Sequence, residues 1–226
     1  MLDWNVRGSW VAVFDVLGFR ALVKQADNDF QRRILTSKID DLLDAFEPDI
    51  VNPGGLDTLV FSDTIAVFTP DLTPQSYPWF LLQCCHLIET SIRIRLPLRG
   101  AIGVGTAITC KTPPIVLGSA FLEAHEYCED QDWIGLLLTP SATRSLREAH
   151  LEPTHHDFVE DTIPLRNMPP EDVLAYRFQN GEANFESWLL PYLSEMKQLA
   201  PSTSKEKYTR TIAFIQKHYR FIQSSR

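Results

Sequence analysis

The sequence predicts an α+β domain, with helices on one face of a mixed sheet, close to a ferredoxin-like arrangement. Three observations carry this. The apolar run Val11 to Leu17 reads as a central, fully buried strand. Residues 56–61 and 65–68 are two β-rich runs around a short polar tip, which is a hairpin pattern. Stretches of helical spacing lie between and after them, giving the order strand, helices, hairpin, helix, strand, helix, strand.

Composition sets the outer limits. The chain has 226 residues, 44% hydrophobic and 22% charged, as in an ordinary globular protein with a real core. We divide it into a main unit, 1–180, and a C-terminal helical extension, 181–226, packed on that unit or on a dimer. A net charge of −8 argues against a broad DNA-binding surface, although a small nucleotide pocket remains compatible. Cys84, Cys85, Cys110 and Cys128 form no C-x-x-C pair, so a zinc site has little support. Asp3 and Arg7 interrupt the N-terminus before any signal-peptide core, and no run is long enough to span a membrane. The expected setting is a reducing cytoplasm.

Taken in order, residues 10–17 form the first strand, ended by Gly18. Residues 19–47 carry Leu22, Val23, Ile34, Leu35, Ile39, Leu42, Leu43 and Phe46 near helical spacing, which predicts one or two helices. Pro48 and Asn52-Pro53-Gly54-Gly55 break the pattern. After the hairpin, a helix is expected from about Gln75 to Arg95, then a Gly-rich strand from Leu98 to Ile108. Glycines there mark close approach of another backbone or of a ligand. Gly118 leads into a helix near 119–130, and Trp133 to Leu138 is a further strand. Thr139-Pro140-Ser141 opens a short helix, with a capping hydroxyl beside a first-turn proline. A late strand at 172–179 and helices at 184–198 and 203–223 complete the chain. His155-His156 read as loop residues, and Phe214, Ile215, Tyr219 and Ile222 as packing or dimer surface.

The chemistry centres on Asp15. A carboxylate inside an apolar strand must neutralise, pair or meet a metal. The strand, acid, turn and helix start that follow each other here suit phosphate on backbone N–H groups and a cation on the acid. Asp63 sits at the hairpin tip. In a ferredoxin-like sheet the first strand lies beside the hairpin, so the two acids converge and can hold two divalent ions. Arg99 lies on a strand expected next to the first, where it reaches a base edge or a phosphate, or serves as an ion-pair partner.

Four segments, in order over residues 10–130, resemble the class III nucleotidyl cyclases. Phe14-Asp15-Val16-Leu17-Gly18-Phe19 is similar to their F-x-D-I-x-G-F signature, and Phe61-Ser62-Asp63-Thr64 to their second metal-binding segment. Leu98 to Gly105 resembles the L-R-x-G-I-x-x-G strand, and Gly118 to Glu126 the helix after it. That helix in the family carries an Asn and, four residues on, an Arg; here those positions read Leu122 and Glu126. The family's purine-reading Lys is absent, with Asp57, Thr58 and Leu59 in its region. The Asp-Val-Leu-Gly-Phe spelling and the run from Gly118 to Tyr127 look most like the bacterial pyrimidine cyclases of Pycsar antiphage defence.

The resemblance implies a cyclase catalytic domain over 1–180 that converts UTP, or alternatively CTP, to the 3′,5′-cyclic monophosphate. It implies two Mn²⁺ or Mg²⁺ ions, a homodimer with active sites at the interface, and a separate effector that senses the product. Asp15 and Asp63 would be the catalytic metal ligands, helped by the Val16 carbonyl. The Leu17, Gly18 and Phe19 backbone would cradle the triphosphate. Arg99 would suit the uracil acceptors, and Asp57 the cytosine amine if it faces the pocket. A purine cyclase and a catalytically inactive, nucleotide-binding domain are the other readings.

Overall fold

The computed structural model describes residues 3–44, 55–110, 112–113, 115–151, 158–169, 171–178 and 185–223. The expected breaks at Pro48 and Asn52-Pro53-Gly54, the His155-His156 pair and the boundary at 180/181 lie outside the described residues. Strand β1 (Asn5–Val16) is followed by helices α1 (Phe19–Gln25) and α2 (Asp29–Asp44). The hairpin β2 (Asp57–Phe61) and β3 (Thr64–Phe68) precedes α3 (Ser76–Arg93). Then come β4 (Leu98–Cys110), β5 (Ile115–Leu117), α4 (Ser119–Asp130), β6 (Gly135–Leu138) and α5 (Pro140–Glu148). Strands β7 (Phe158–Ile163) and β8 (Glu171–Tyr176) and helices α6 (Phe185–Leu199) and α7 (Ser202–Gln223) complete the chain.

The sheet runs β2-β3-β1-β4-β6-β8-β7, with β5 paired to β4. Only the β4–β6 pairing is parallel among these, so the sheet is mixed, as expected. β1 begins at Asn5, five residues before the expected start, because β4 is long enough to supply partners out to Thr109.

Helices cover both faces of the sheet, which corrects the one-face expectation. Gly103 pairs with Val11 in register, and a Cβ on Gly103 would stand 2.7 Å from the Ala120 carbonyl oxygen of α4. Trp10, the neighbour of Val11 and therefore on the other face, stacks on Tyr77 of α3 with centroids 4.6 Å apart. The cause lies in β1 itself. Trp10 to Phe14 are buried at every position, and a strand apolar on both sides needs cover on both sides. Two glycines of β4 thus serve close helix-on-sheet packing: Gly103 admits the α4 backbone, and Gly105 faces the Ser119 hydroxyl.

The four cysteines are free and buried. Phe214 and Ile215 of α7 belong to the core. Among the described residues, no helix is long and apolar enough to cross a membrane.

Candidate active site

Asp15 interrupts the apolar run near the C-terminal end of β1. It stands in register with Thr64 of β3 on one side and Arg99 of β4 on the other. One residue on, the Val16 N–H donates to the Asp63 carbonyl at 3.0 Å. That bond fastens the hairpin tip to the end of β1 and brings Asp63 beside Asp15. Ser62, with φ 57°, makes the tight turn that presents Asp63. Both acids are half-buried.

Burial pushes the Asp15 carboxyl above its ordinary pKa. The Arg99 cation and its hydrogen bond pull the other way, while the Asp63 and Glu129 charges push it further up. The net direction is upward, because burial together with the neighbouring acids outweighs the Arg99 cation.

Arg99 is 8% exposed, and its donors are committed inside the protein. Nε donates to Asp15 Oδ2 at 2.8 Å and Nη2 to the same oxygen at 2.7 Å. Nη1 donates to the Glu129 carbonyl and, at 3.1 Å, to the Gln131 carbonyl. Of the roles expected for Arg99, this geometry is that of the ion-pair partner. The β1–β4 register sets Arg99 directly across from Asp15, and the end of α4 supplies two carbonyls for the rest of the fork.

Asp57 also falls elsewhere. It pairs with Phe68, whereas the tip pairs Phe61 with Thr64, so Asp57 stands four residues, about 13 Å, up the strand from the tip. There it accepts a hydrogen bond from Arg7 at 2.7 Å. It does not join the two acids, because a strand of this register points it at the far end of β1.

The turn after β1 differs in one detail from the expected three-residue cradle. Leu17 donates its N–H to the Pro97 carbonyl at 2.9 Å. Gly18 adopts φ +77°, a left-handed conformation that costs glycine little, and its carbonyl accepts the first bonds of α1. Among the described residues the amides of Gly18 and Phe19 meet no backbone carbonyl, which leaves them to an anion.

Two acids are what this corner offers a metal: among the described residues, no three His, Cys, Asp or Glu side chains form a cluster. The donors are hard carboxylate oxygens, and Arg99 takes only Oδ2 of Asp15. That set fits Mg²⁺ or Mn²⁺ and not a thiophilic ion.

No protein-family model and no curated protein matches the sequence. Solved structures do match. The catalytic core of a rhodopsin-guanylyl cyclase with converted specificity, in complex with ATPαS, superposes with a TM-score of 0.55 at 12% identity, over 77% of this chain and 97% of that one. Adenylate cyclases from Trypanosoma brucei give 0.52 at 12% identity, over 77% and 91%. A bacterial light-regulated adenylyl cyclase gives 0.51 at 9% identity, over 83% and 99%.

The chain has the class III nucleotidyl cyclase catalytic fold.

Within that fold, Leu122 and Glu126 lie on the outer side of α4, Leu122 with 58% exposure. Phe121 of the same helix meets Phe61 of the hairpin with ring centroids 6.4 Å apart. The carbonyl cradle of Glu129 and Gln131 was not foreseen from the sequence. Its only sign is the polar stretch Glu129 to Asp132 wedged before an apolar strand, which reads equally well as a solvated helix end.

Proposed function

We propose that this chain is a nucleotide cyclase of the pyrimidine class, making 3′,5′-cyclic UMP from UTP or cyclic CMP from CTP. The observation that supports the reading is the bond from the Val16 N–H to the Asp63 carbonyl, which sets the hairpin tip against the end of β1 that carries Asp15. The ribose 3′-oxygen attacks the α-phosphorus in line, the bond to the α–β bridging oxygen breaks, and pyrophosphate leaves with that oxygen. The 3′-hydroxyl gives up its proton as the new bond forms.

Asp15 and Asp63, with the Val16 carbonyl, would hold two divalent ions, which supply charge neutralisation on the phosphates and acidify the 3′-hydroxyl. Asp15, at the end of β1 beside the hairpin tip, stands closest to the role of proton acceptor. The Gly18 and Phe19 amides would take phosphate oxygens. Arg99 holds Asp15 in place and does not contact substrate in this reading.

The pyrimidine preference rests on the likeness of the Asp15 to Phe19 and Gly118 to Tyr127 segments to the Pycsar cyclases. The commitment of Arg99 to Asp15 removes the earlier reason to favour uracil over cytosine. The same likeness carries the rest of the proposal: a catalytic unit over 1–180, a cytoplasmic setting, a role in antiphage signalling and a separate effector sensing the product. A homodimer is supported by the exposed apolar residues Val60, Phe61 and Leu122 next to the site. A second reading, a nucleotide-binding domain without turnover, is favoured by one observation: Leu122 and Glu126 hold the positions where the family carries Asn and Arg.

The deciding experiment incubates the protein with Mn²⁺ and each of the four ribonucleoside triphosphates, then identifies products by mass. A cyclic pyrimidine monophosphate supports the proposal and tells UTP from CTP. Product from ATP or GTP alone rejects the pyrimidine assignment, and binding without product supports the inactive reading.

A further inference from the structure

We propose that the C-terminal helix α7 sets the orientation of Asp15, and that Trp133 is the positioning residue through which it does so. The contacts are continuous. Phe214 of α7 meets Trp133 edge-on, with centroids 4.8 Å apart and planes at 70°. The Trp133 indole N–H donates to Gln131 Oε1 at 2.7 Å. Gln131 Nε2 donates to the Gly100 carbonyl at 2.9 Å and the Tyr127 carbonyl at 3.2 Å. The backbone carbonyl of Gln131 accepts from Arg99 Nη1 at 3.1 Å, and Arg99 holds Asp15 Oδ2.

Every member is buried: Phe214 at 6% exposure, Trp133 at 1%, Gln131 at 0% and Arg99 at 8%. Core packing alone does not ask for a carboxamide here, since burying one is costly unless every polar atom is paired. Gln131 pairs all of them, so it cannot turn without breaking bonds that water cannot replace. Its orientation then fixes the carbonyl that steadies Arg99.

α7 grips the same segment at two further points. The Thr211 hydroxyl, fully buried, accepts the Ile134 N–H at 2.8 Å and lies 3.0 Å from the Ile134 carbonyl. Arg210 pairs with Asp132. The helix thus closes over residues 131–134 as a clamp, and the far side of that clamp is the Arg99–Asp15 pair.

The inference rests on the reading of Asp15 as a catalytic carboxylate, and its test can be separated from that reading. Trp133→Phe keeps a ring against Phe214 and deletes the indole N–H. Ile215→Ala removes buried packing from α7 outside this chain of contacts. Hydrogen exchange of the Arg99 Nε–H, followed by NMR in the metal-free protein, reports the pair directly. Trp133→Phe is expected to speed it by about fivefold or more and to weaken Mn²⁺ binding by roughly threefold or more. Ile215→Ala is expected to lower the melting temperature at least as far while leaving both near parent values. Should Trp133→Phe not fold, Phe214→Leu, which removes the ring contact of α7 with Trp133, takes its place against Ile215→Ala, with the same outcomes expected. Parent-like exchange in Trp133→Phe, or equal acceleration in Ile215→Ala, overturns the proposal. A parent protein that binds no Mn²⁺ overturns the metal role of Asp15 and Asp63, while the exchange comparison still decides the clamp.

Discussion

Arg99 grips Asp15 across the β1–β4 pair, with Nε at 2.8 Å and Nη2 at 2.7 Å from one carboxylate oxygen. The side chains are 9% and 19% exposed, so each charge depends on the other. Arg99→Met strands Asp15 without its cation. It should cost about 2–3 kcal/mol in urea unfolding, below the full buried-pair figure because Asp15 keeps some solvent. Arg99→Lys should cost about half as much, since it keeps the charge and loses the fork. Parent stability in both variants, with only the nucleotide KM changed, would show that Arg99 reads the base.

Asp57 pairs with Arg7, four residues up the strand from the hairpin tip. Asp57→Asn should cost about 1 kcal/mol in unfolding experiments, as a partly exposed ion pair does. The ratio of UTP to CTP turnover should stay as in the parent. A shifted ratio would place Asp57 in the pocket.

Gly103 is where α4 meets the sheet. A Cβ there would stand 2.7 Å from the Ala120 carbonyl oxygen, which is backbone and cannot swing away. Gly103→Ala should therefore push α4 outward and cost about 1–3 kcal/mol. Because Glu129 and Gln131 at the end of α4 hold Arg99, turnover should fall as well. Equal stability and activity would mean that the helix sits further from β4.

Asp161 ties α7 to β7. Burial pushes its carboxyl up, but hydrogen bonds from His218, Lys217 and the Thr162 N–H outweigh that and hold it below the usual range. His218 Nε2 and Lys217 Nζ each stand 2.7 Å from the carboxylate. A depressed pKa stabilises the fold above the unfolded value, about pH 4, and that contribution disappears as pH falls through the folded value. The stability gap between parent and Asp161→Asn should be open at pH 7 and close below about pH 4. A gap independent of pH would contradict the pairing.

Much of this architecture is legible in the sequence because it follows from local pattern. Six apolar residues between Val11 and Leu17 announce the central strand, and Gly118 announces α4. Asp15 stands out for the same reason, as a charge where none belongs. The partners of these residues are less legible, because register decides them. Arg99 is 84 positions from Asp15, and only the β1–β4 pairing sets the two side by side. Asp57 looked close to Asp63 along the chain, yet hairpin register carries it up the strand to Arg7. Arg7 itself lies in the polar stretch before the apolar run, which pattern alone leaves outside the strand. Cover on both faces was readable in principle: Trp10 to Phe14 lack any polar alternation.

The central claim is that Asp15 and Asp63 jointly hold divalent cations beneath the phosphates of a nucleotide. Anomalous scattering at the manganese edge, from crystals grown with Mn²⁺ and a non-cyclisable pyrimidine triphosphate, tests it most directly. Manganese peaks between the two carboxylates are expected, and none in Asp63→Asn crystals. Peaks lying elsewhere, or unchanged in that variant, would contradict it.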